Sequence, residues 1–245
     1  MPPTESRPKV VFLSHAAERT GPPILLYRLL SWLGDERPFD AELVFLEGGD
    51  LLEQFAELAP VHVLNEFEPP HWTTVVGSFL AHLGLERSAK SLRRRSLRAR
   101  LAGVGRHDLV FVNTAGSVRA LRYLPDCPRK VITEIHELSV GLEYHLPAED
   151  RALILAVTDH FITVADAVTE AVVGDLGIRR SKITRRYGFV DRSTRPDADE
   201  VTAARKKLGL PIGARIIGAS GLTHWRKGPD LFLLAAQHIR DHFDE

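Results

Sequence analysis

The feature that most limits the fold of this chain is a series of short, continuously apolar segments separated by longer amphipathic ones. The apolar segments are rich in β-branched residues and cover residues 9–15, 41–46, 61–65, 108–114, 130–137 and 160–165. Strands that are apolar at every position are buried on both faces. Helical periodicity at residues 21–34, 50–58, 117–124, 148–158 and 167–176 separates them. We therefore predict an α/β fold, a doubly wound parallel sheet over residues 1–190.

A second, shorter α/β segment follows a polar stretch. Residues 191–200 are charged and predict a linker, after which a short helix, a strand at 214–221 and a final helix are expected. Pro229 and Asp230 suit the start of that helix, and an apolar face is formed by Leu231, Ala235, Ile239 and Phe243. A lone strand has no neighbours to pair with. Residues 201–245 are therefore interpreted as the first part of a truncated domain.

Composition excludes several classes of protein. Lysine plus arginine equals aspartate plus glutamate, at 32 each, so the overall charge gives no attraction to nucleic acid. The single cysteine, Cys127, cannot form an internal disulfide and favours a reducing compartment. The amino terminus has no secretory signal pattern, and no apolar run reaches the roughly 18 residues of a membrane span. We expect a soluble, cytoplasmic protein. An alternative, discussed below, is that it also contacts the inner face of the membrane peripherally.

The loop after the first predicted strand is a candidate ligand site. It contains His15, Thr20, Gly21 and Pro22, and it leads into a helix amino terminus. Parallel α/β sheets bind ligands at such loops, and free N–H groups there favour an anion. A dinucleotide G-x-G-x-x-G motif and a Walker A motif are both missing. The residues alone favour the simpler reading, a helix that Thr20 caps.

His136 is the second candidate. It stands at the end of the predicted strand 130–137, where a side chain faces the cleft. A histidine there would hydrogen-bond a sugar hydroxyl or orient a reacting centre. The alternative is a histidine that only satisfies a backbone carbonyl, and the sequence does not separate the two.

A basic amphipathic segment is the third. Residues 87–106 hold eight lysines and arginines and no acidic residue, among them Arg93, Arg94, Arg95 and Arg98. A basic amphipathic helix can lie on an anionic membrane, although a solvated arginine-rich face is the more common outcome. Nucleic acid is disfavoured because no aromatic residues alternate with the basic ones.

The fourth candidate is the turn before the final helix. Gly221 allows a sharp turn, and Arg226 and Lys227 precede the helix start, which suits a diphosphate. An ordinary glycine turn with a solvated basic pair explains the same residues. The 11 histidines are scattered, without a paired-cysteine or H-E-x-x-H pattern, so no metal is expected.

The whole chain resembles the GT-B-fold, GT4-type retaining glycosyltransferases. The stretches that carry the resemblance are "VVFLSHAAERTGPPILLYRLL", "VITEIHE", "FITVADAVTEAVVGDLGIRRSKITRRYGFVD" and "ARKKLGLPIGARIIGASGLTHWRKGPDLFLLAA". The resemblance implies a Rossmann-like acceptor-side domain, followed by the start of a domain that binds a nucleotide-diphosphate sugar.

The resemblance also implies roles for residues. His136 would contact the transferred sugar, and Lys227 would bind the donor diphosphate without a metal. The loop at Gly21 would face the cleft near the donor phosphate and a glycan or lipid-linked acceptor. The basic helix falls where membrane-associated members contact lipid.

Two departures from the family pattern matter. Where many members have an arginine six residues before the lysine, this chain has Gly221, so Arg226 would have to substitute. The downstream E-x7-E segment that holds donor sugar and ribose is missing. We therefore expect this chain alone to be inactive. The alternatives are a non-enzymatic module that binds a glycan, a lipid or a partner, and, less favoured, a nucleotide-sugar epimerase.

Overall fold

The structure is a computed structural model that describes residues 7–68, 70–126, 128–189, 195–221, 223 and 225–242, without the side chain of Arg226. Cys127, Phe243 and residues 191–194 of the predicted linker therefore lie outside the described residues. The chain divides into two compact units, Met1–Phe189 and Val190–Glu245.

The described part of the first unit is built on a seven-stranded parallel sheet in the order β3-β2-β1-β4-β5-β6-β7. The strands are β1 (Lys9–Ala16), β2 (Asp40–Glu47), β3 (Val61–Val63), β4 (Leu109–Asn113), β5 (Lys130–Ile135), β6 (His160–Thr163) and β7 (Ile183–Arg185). This confirms the α/β, doubly wound parallel fold predicted from the apolar segments.

The strand order reverses beside β1. Phe12 of β1 pairs in register with Leu43 of β2 on one side and with Phe111 of β4 on the other. The chain thus runs outward from β1 in one direction, returns, and continues outward from β4 in the other. A crevice opens at the carboxyl ends of the strands at such a point, and ligands of α/β sheets bind there.

Helices cover both faces of the sheet. Those of the first unit are α1 (Gly21–Leu33), α2 (Leu52–Leu58), α3 (His71–His82), α4 (Glu86–Arg100), α5 (Ser139–His145), α6 (Ala148–Val157) and α7 (Asp166–Leu176), with a long 3-10 segment, Ala115–Tyr123. Alternate residues of β1 serve two cores. Val10 and Phe12 pack with the α1 and α2 side, whereas Val11 and Leu13 pack with the side of α4 to α7.

Several elements differ from the sequence-based expectation. β7, α3 and α5 were not predicted. β7 and α5 are short, whereas α3 has apolar residues at helical spacing that were not recognised. The predicted strands at 61–65, 130–137 and 160–165 each end two residues early, and the residues after them turn into loops at the carboxyl edge. Residues 117–124, predicted as a helix, form part of the 3-10 segment instead.

The second unit contains α8 (Ala198–Lys207) and α9 (Pro229–His242). Asp197 caps α8 through Oδ1, which accepts hydrogen bonds from the N–H groups of Asp199 (2.9 Å) and Glu200 (2.8 Å). The strand predicted at 214–221 is wrong, since these described residues form no strand. A strand forms only with a neighbour that shares its hydrogen bonds, and the described part of this unit offers none.

Candidate functional site

The candidate site lies at the carboxyl ends of β1, β4 and β5, where the strand order reverses. β1 delivers His15, β4 ends at Asn113, and β5 is followed at once by His136. These strands are adjacent in the sheet, so residues about 120 positions apart in sequence meet at one edge. We call the side chains gathered there the strand-end cluster; its members are His15, Asn113, Thr114, Arg119, Glu134, His136, Glu137 and His145.

His15 is the least satisfied member of the cluster. Its Nδ1 is buried and has no hydrogen-bond partner among the described residues. Burial lowers the pKa of His15 below 6.5, and repulsion from His145, His136 and Arg119 lowers it further. His15 is therefore a neutral imidazole at pH 7. A neutral ring with an unpaired nitrogen is suited to a hydrogen bond with a ligand.

Asn113 presents a second unpaired polar atom. Its Nδ2 donates to Ser14 Oγ at 3.3 Å, but its Oδ1 is buried without a partner in the part of the chain that is described. Buried polar atoms are nearly always hydrogen-bonded, so each exception needs an explanation. Two such atoms stand at adjacent strand ends, where a ligand hydroxyl or a water molecule would satisfy them.

The backbone after Asn113 is strained. Thr114 has φ +84°, a region that β-branched residues rarely adopt. Ser117 holds it in place, with its Oγ donating to the Asn113 carbonyl at 2.7 Å and lying 2.9 Å from Thr114 Oγ1. Strain of this kind persists where the surroundings over-determine the conformation, and it is common at binding sites.

His136 is oriented by carboxylates. Its Nε2 lies 3.1 Å from Glu134 Oε2, and because a carboxylate only accepts, Nε2 carries the proton in this contact. In the neutral form of the ring, Nδ1 is then an acceptor. Glu137 Oε2 accepts from the N–H groups of His136 (3.0 Å) and Ala115 (3.4 Å), which ties the end of β5 to the end of β4.

Arg119 links the cluster to the segment after β3. Its Nε lies 3.0 Å from Glu66 Oε2 in an ion pair, although the angle is too poor for a hydrogen bond. Tyr123 donates its hydroxyl to the other oxygen of Glu66 at 2.9 Å. Burial, followed by the Glu66 charge, raises the pKa of Tyr123 to about 12. Glu66 is therefore held between two side chains of the 3-10 segment.

The loop from His15 to Pro22 is positioned partly as expected. Thr20 occupies the position before α1, but its side chain makes no capping hydrogen bond, so the predicted cap is wrong. Pro22 stands in the first turn of α1, where its missing N–H is harmless. Gly21 is exposed and has open space around it, and its predicted place at a cleft stays a prediction.

The predicted diphosphate residues belong to the second unit. Gly221 is exposed, with φ +158° and no atom near the position of a Cβ. Lys227 is also exposed and ends a 3-10 turn just before α9. The side chain of Arg226 is outside the described part of the structure. The predicted role of these residues stays a prediction.

The four basic residues predicted as a membrane surface lie on α4 but divide into two pairs. Arg93 donates to the Glu66 carbonyl at 2.8 Å, and Arg98 donates to the Pro125 carbonyl at 3.0 Å. Arg94 and Arg95 are exposed and form no ion pair with any described residue. The first pair anchors the helix, and the second is free to meet a partner.

Sequence reasoning missed most of the cluster around His15 and His136. Asn113 and Thr114 follow a strand, and Glu134 and Glu137 flank His136, so strand-end position was the available signal. Glu66 carried the same signal, since it follows the predicted strand 61–65, but Arg119 carried none. Their contact depends on the tertiary fold, which brings the segments after β3 and β4 together.

Among the described residues, no three histidine, cysteine, aspartate or glutamate side chains are grouped so that they could hold a metal ion. Metal-free chemistry remains a prediction. None of the helices in the described ranges is long and apolar enough to cross a membrane.

Comparison with known proteins identifies the fold. No protein-family profile and no curated protein matches the chain. The chain is similar to the structure of HepE from Anabaena in complex with UDP, with a TM-score of 0.51 and 15% identity over 82% of this chain and 50% of that one. The HepE complex with UDP-glucose gives the same values. A glycosyltransferase from Rickettsia africae ESF-5 matches with a TM-score of 0.53 and 11% identity, over 97% of this chain and 59% of that one.

At these identities the likeness establishes the fold alone. The chain spans between half and three fifths of the length of these solved structures.

Proposed function

We propose that this chain is the acceptor-side domain, with the opening of the donor domain, of a retaining GT4-type glycosyltransferase that uses a nucleotide-diphosphate sugar. The observation that carries the proposal is His136, held by Glu134 at the carboxyl edge beside two buried, unpaired polar atoms. Support also comes from the fold shared with a glycosyltransferase and with a protein solved with UDP-glucose.

The chemistry of the strand-end cluster suits a sugar. A carbohydrate offers many hydroxyl groups, each able to donate and accept. Asn113 Oδ1 supplies an acceptor, and the unpaired Nδ1 of His15 supplies a donor or an acceptor, depending on the tautomer of its neutral ring. In a neutral His136 ring that donates through Nε2, Nδ1 adds a second acceptor at the same edge. The neighbouring Arg119 is neutralised by Glu66. The cluster is thus better suited to a polyhydroxylated ligand than to a free anion.

In the proposed reaction the acceptor oxygen forms a bond to the anomeric carbon of the donor sugar. The bond from that carbon to the phosphate oxygen breaks, and its electron pair leaves with the nucleoside diphosphate. His136 would orient the transferred sugar through a hydroxyl group. Lys227 would stabilise the negative charge on the leaving diphosphate, which is electrostatic catalysis. The acceptor's proton passes to that diphosphate.

The test is sugar transfer by the complete gene product, supplied with a panel of radiolabelled nucleotide sugars that includes UDP-glucose. We expect transfer from at least one donor. His136→Ala should lower kcat/KM by about 100-fold, near 2.7 kcal/mol of transition-state stabilisation, with an unchanged Tm. His71→Ala, on the exposed α3, is the matched control.

An absence of transfer from every donor would overturn the proposed activity. Full activity in His136→Ala would overturn the proposed site. The 245-residue chain alone should show no transfer, since the E-x7-E segment expected to hold the donor is missing from it. Glycan binding by an inactive complete protein would favour the binding module instead.

A further inference from the structure

The helical hairpin of α3 and α4 has an apolar surface that the proposed reaction does not use. On α3, Trp72, Val75, Val76 and Phe79 are all exposed. Their spacing of three, four and seven residues places them on one side of the helix, and Leu83 continues the stripe beyond its end. Thr73, about a quarter turn round the helix from Trp72, is buried, so this adjoining side faces the protein. Four large apolar side chains in one exposed stripe mark an interaction surface.

The partner must also suit the charge of the hairpin. α3 contains no lysine, arginine, aspartate or glutamate. Residues 71–100 as a whole hold seven lysines and arginines, with Glu86 as the one acidic residue. On α4, Arg87 and Arg94 are seven residues apart, which places them on one exposed side. A surface that is strongly basic beside an apolar stripe is complementary to an anionic, amphipathic partner.

The two helices also enclose a groove of about 570 Å³. Polar lining comes from Glu68, from Thr73, Thr74 and Ser78 of α3, and from Lys90 and Arg93 of α4. The two cations outweigh the one carboxylate, so the lining is positive overall. Hydroxyl groups and cationic side chains both donate hydrogen bonds to the oxygens of a phosphate group. The groove therefore offers a place for a lipid phosphate between the apolar stripe and the basic helix.

The hairpin is fixed at the same edge of the sheet as the strand-end cluster. Arg100 of α4 donates to the carbonyls of Asn65 (3.1 Å) and Glu68 (3.0 Å), just after β3 ends. Glu66 between them pairs with Arg119 of the cluster. A surface bound by the hairpin would thus lie close to His15 and His136.

We propose that the α3–α4 hairpin docks this protein onto an anionic phospholipid bilayer. The α3 stripe inserts among the lipids at the interface, with Trp72 at the level of the headgroups, while α4 holds their phosphates. A consequence that rests on the proposed transferase function is that the acceptor is carried on a lipid in the same membrane.

The experiment is sedimentation of the 245-residue chain with vesicles of phosphatidylcholine alone, or with phosphatidylglycerol as about a third of the lipid. We expect binding to the anionic vesicles only. Raising NaCl from about 0.1 to 0.5 M should lower the vesicle affinity at least roughly fivefold, because salt screens exposed charges. Trp72 fluorescence should shift to the blue and be quenched by brominated lipid in a Trp32→Phe/Trp225→Phe background.

Two variants separate the apolar from the basic contribution. Trp72→Ser/Phe79→Ser and Arg94→Glu/Arg95→Glu should each weaken binding at least tenfold, roughly the loss expected from removing two inserted or two charged groups. Both pairs are exposed, so the fold should be retained. Trp32→Ser and Arg28→Glu, on the exposed side of α1, are the matched controls and should bind as the unaltered chain does.

No binding to anionic vesicles, or binding unaffected by Trp72→Ser/Phe79→Ser, would overturn the proposal. The proposal would also be overturned if sedimentation velocity showed a dimer of the unaltered chain and a monomer of Trp72→Ser/Phe79→Ser. The stripe would then be the contact between two copies of the chain. Since neither donor nor acceptor is present, the result is independent of the transfer assay. Vesicle binding without transfer by the complete protein would count against the proposed reaction alone.

Discussion

The backbone of Gly49 passes so close to Ala17 that a Cβ built on Gly49 would lie 2.4 Å from the Ala17 carbonyl oxygen. This approach joins the loop after β2 to the loop after β1. The same carbonyl of Ala17 accepts a hydrogen bond from the N–H of Leu51 at 2.8 Å. The position of the His15 loop therefore depends on a glycine in the neighbouring loop.

Gly49→Ala should destabilise the protein, because two backbone segments would have to separate. We expect a loss of about 1–3 kcal/mol in the free energy of unfolding, measured by urea denaturation. Gly48→Ala is the matched control, since its Cβ would meet only the flexible side chain of Leu52 at 3.3 Å. Equal effects of the two substitutions would contradict the close approach as the cause.

Glu137→Ala should also destabilise the protein. It removes the acceptor of the Ala115 and His136 N–H groups, which leaves two partly buried donors unpaired. The expected loss is about 1–3 kcal/mol in urea denaturation. Glu143→Ala, an exposed glutamate on α5, should change stability by less than roughly 0.5 kcal/mol. A Glu137→Ala protein as stable as this control would show that the carboxylate does not tie the two strand ends together.

His15 should make stability depend on pH in the acidic range. Its pKa is below 6.5 in the folded protein, so the unfolded chain takes up the proton first as the pH falls. Stability is thus lost as the pH falls through 6.5 towards the folded value. Urea denaturation from about pH 7.5 to 5 should show a smaller loss for His15→Gln than for the unaltered protein. His71→Gln is the control, and parallel pH profiles for all three proteins would refute this assignment.

Tyr123 should lose its proton at a higher pH than an ordinary tyrosine. Its pKa is raised to about 12, so the folded protein keeps its proton while the unfolded chain, with a value of 10.0, releases it. Stability from this group is present below pH 10.0 and is lost as the pH rises towards 12. Absorbance of tyrosinate near 295 nm should show a late step among the four tyrosines. Tyr123→Phe should remove that step, and Tyr144→Phe, an exposed tyrosine, should retain it.

The sheet was predictable because a strand buried on both faces is apolar at successive positions of the sequence. A strand such as β4, in "DLVFVNT", is apolar at successive positions whatever its neighbours are. The position of His136 followed from the same logic, since a residue after a buried strand reaches the carboxyl edge. β7 is hard to predict because it is only three residues long. α3 does have apolar residues at helical spacing, but that spacing does not show that they stay exposed.

The strand-end cluster was predictable only in part. His15 and His136 were singled out, but nothing local to Arg119 or Glu66 indicates their ion pair. Their contact arises because Glu66 follows β3 and Arg119 lies in the 3-10 segment after β4, so both stand beyond the carboxyl ends of parallel strands. The division of the basic residues of α4 into anchoring and free pairs likewise depends on backbone carbonyls supplied from elsewhere, such as that of Glu66 for Arg93.

The sequence by itself determined the parallel α/β sheet and the strand ends where chemistry is expected, because apolar periodicity and strand boundaries are local properties of a chain. Tertiary structure alone decided which polar atoms of His15 and Asn113 go unpaired, and which face of α3 stays open. Hydrogen-bond satisfaction and exposure are set by neighbours distant in sequence, so no local pattern records them.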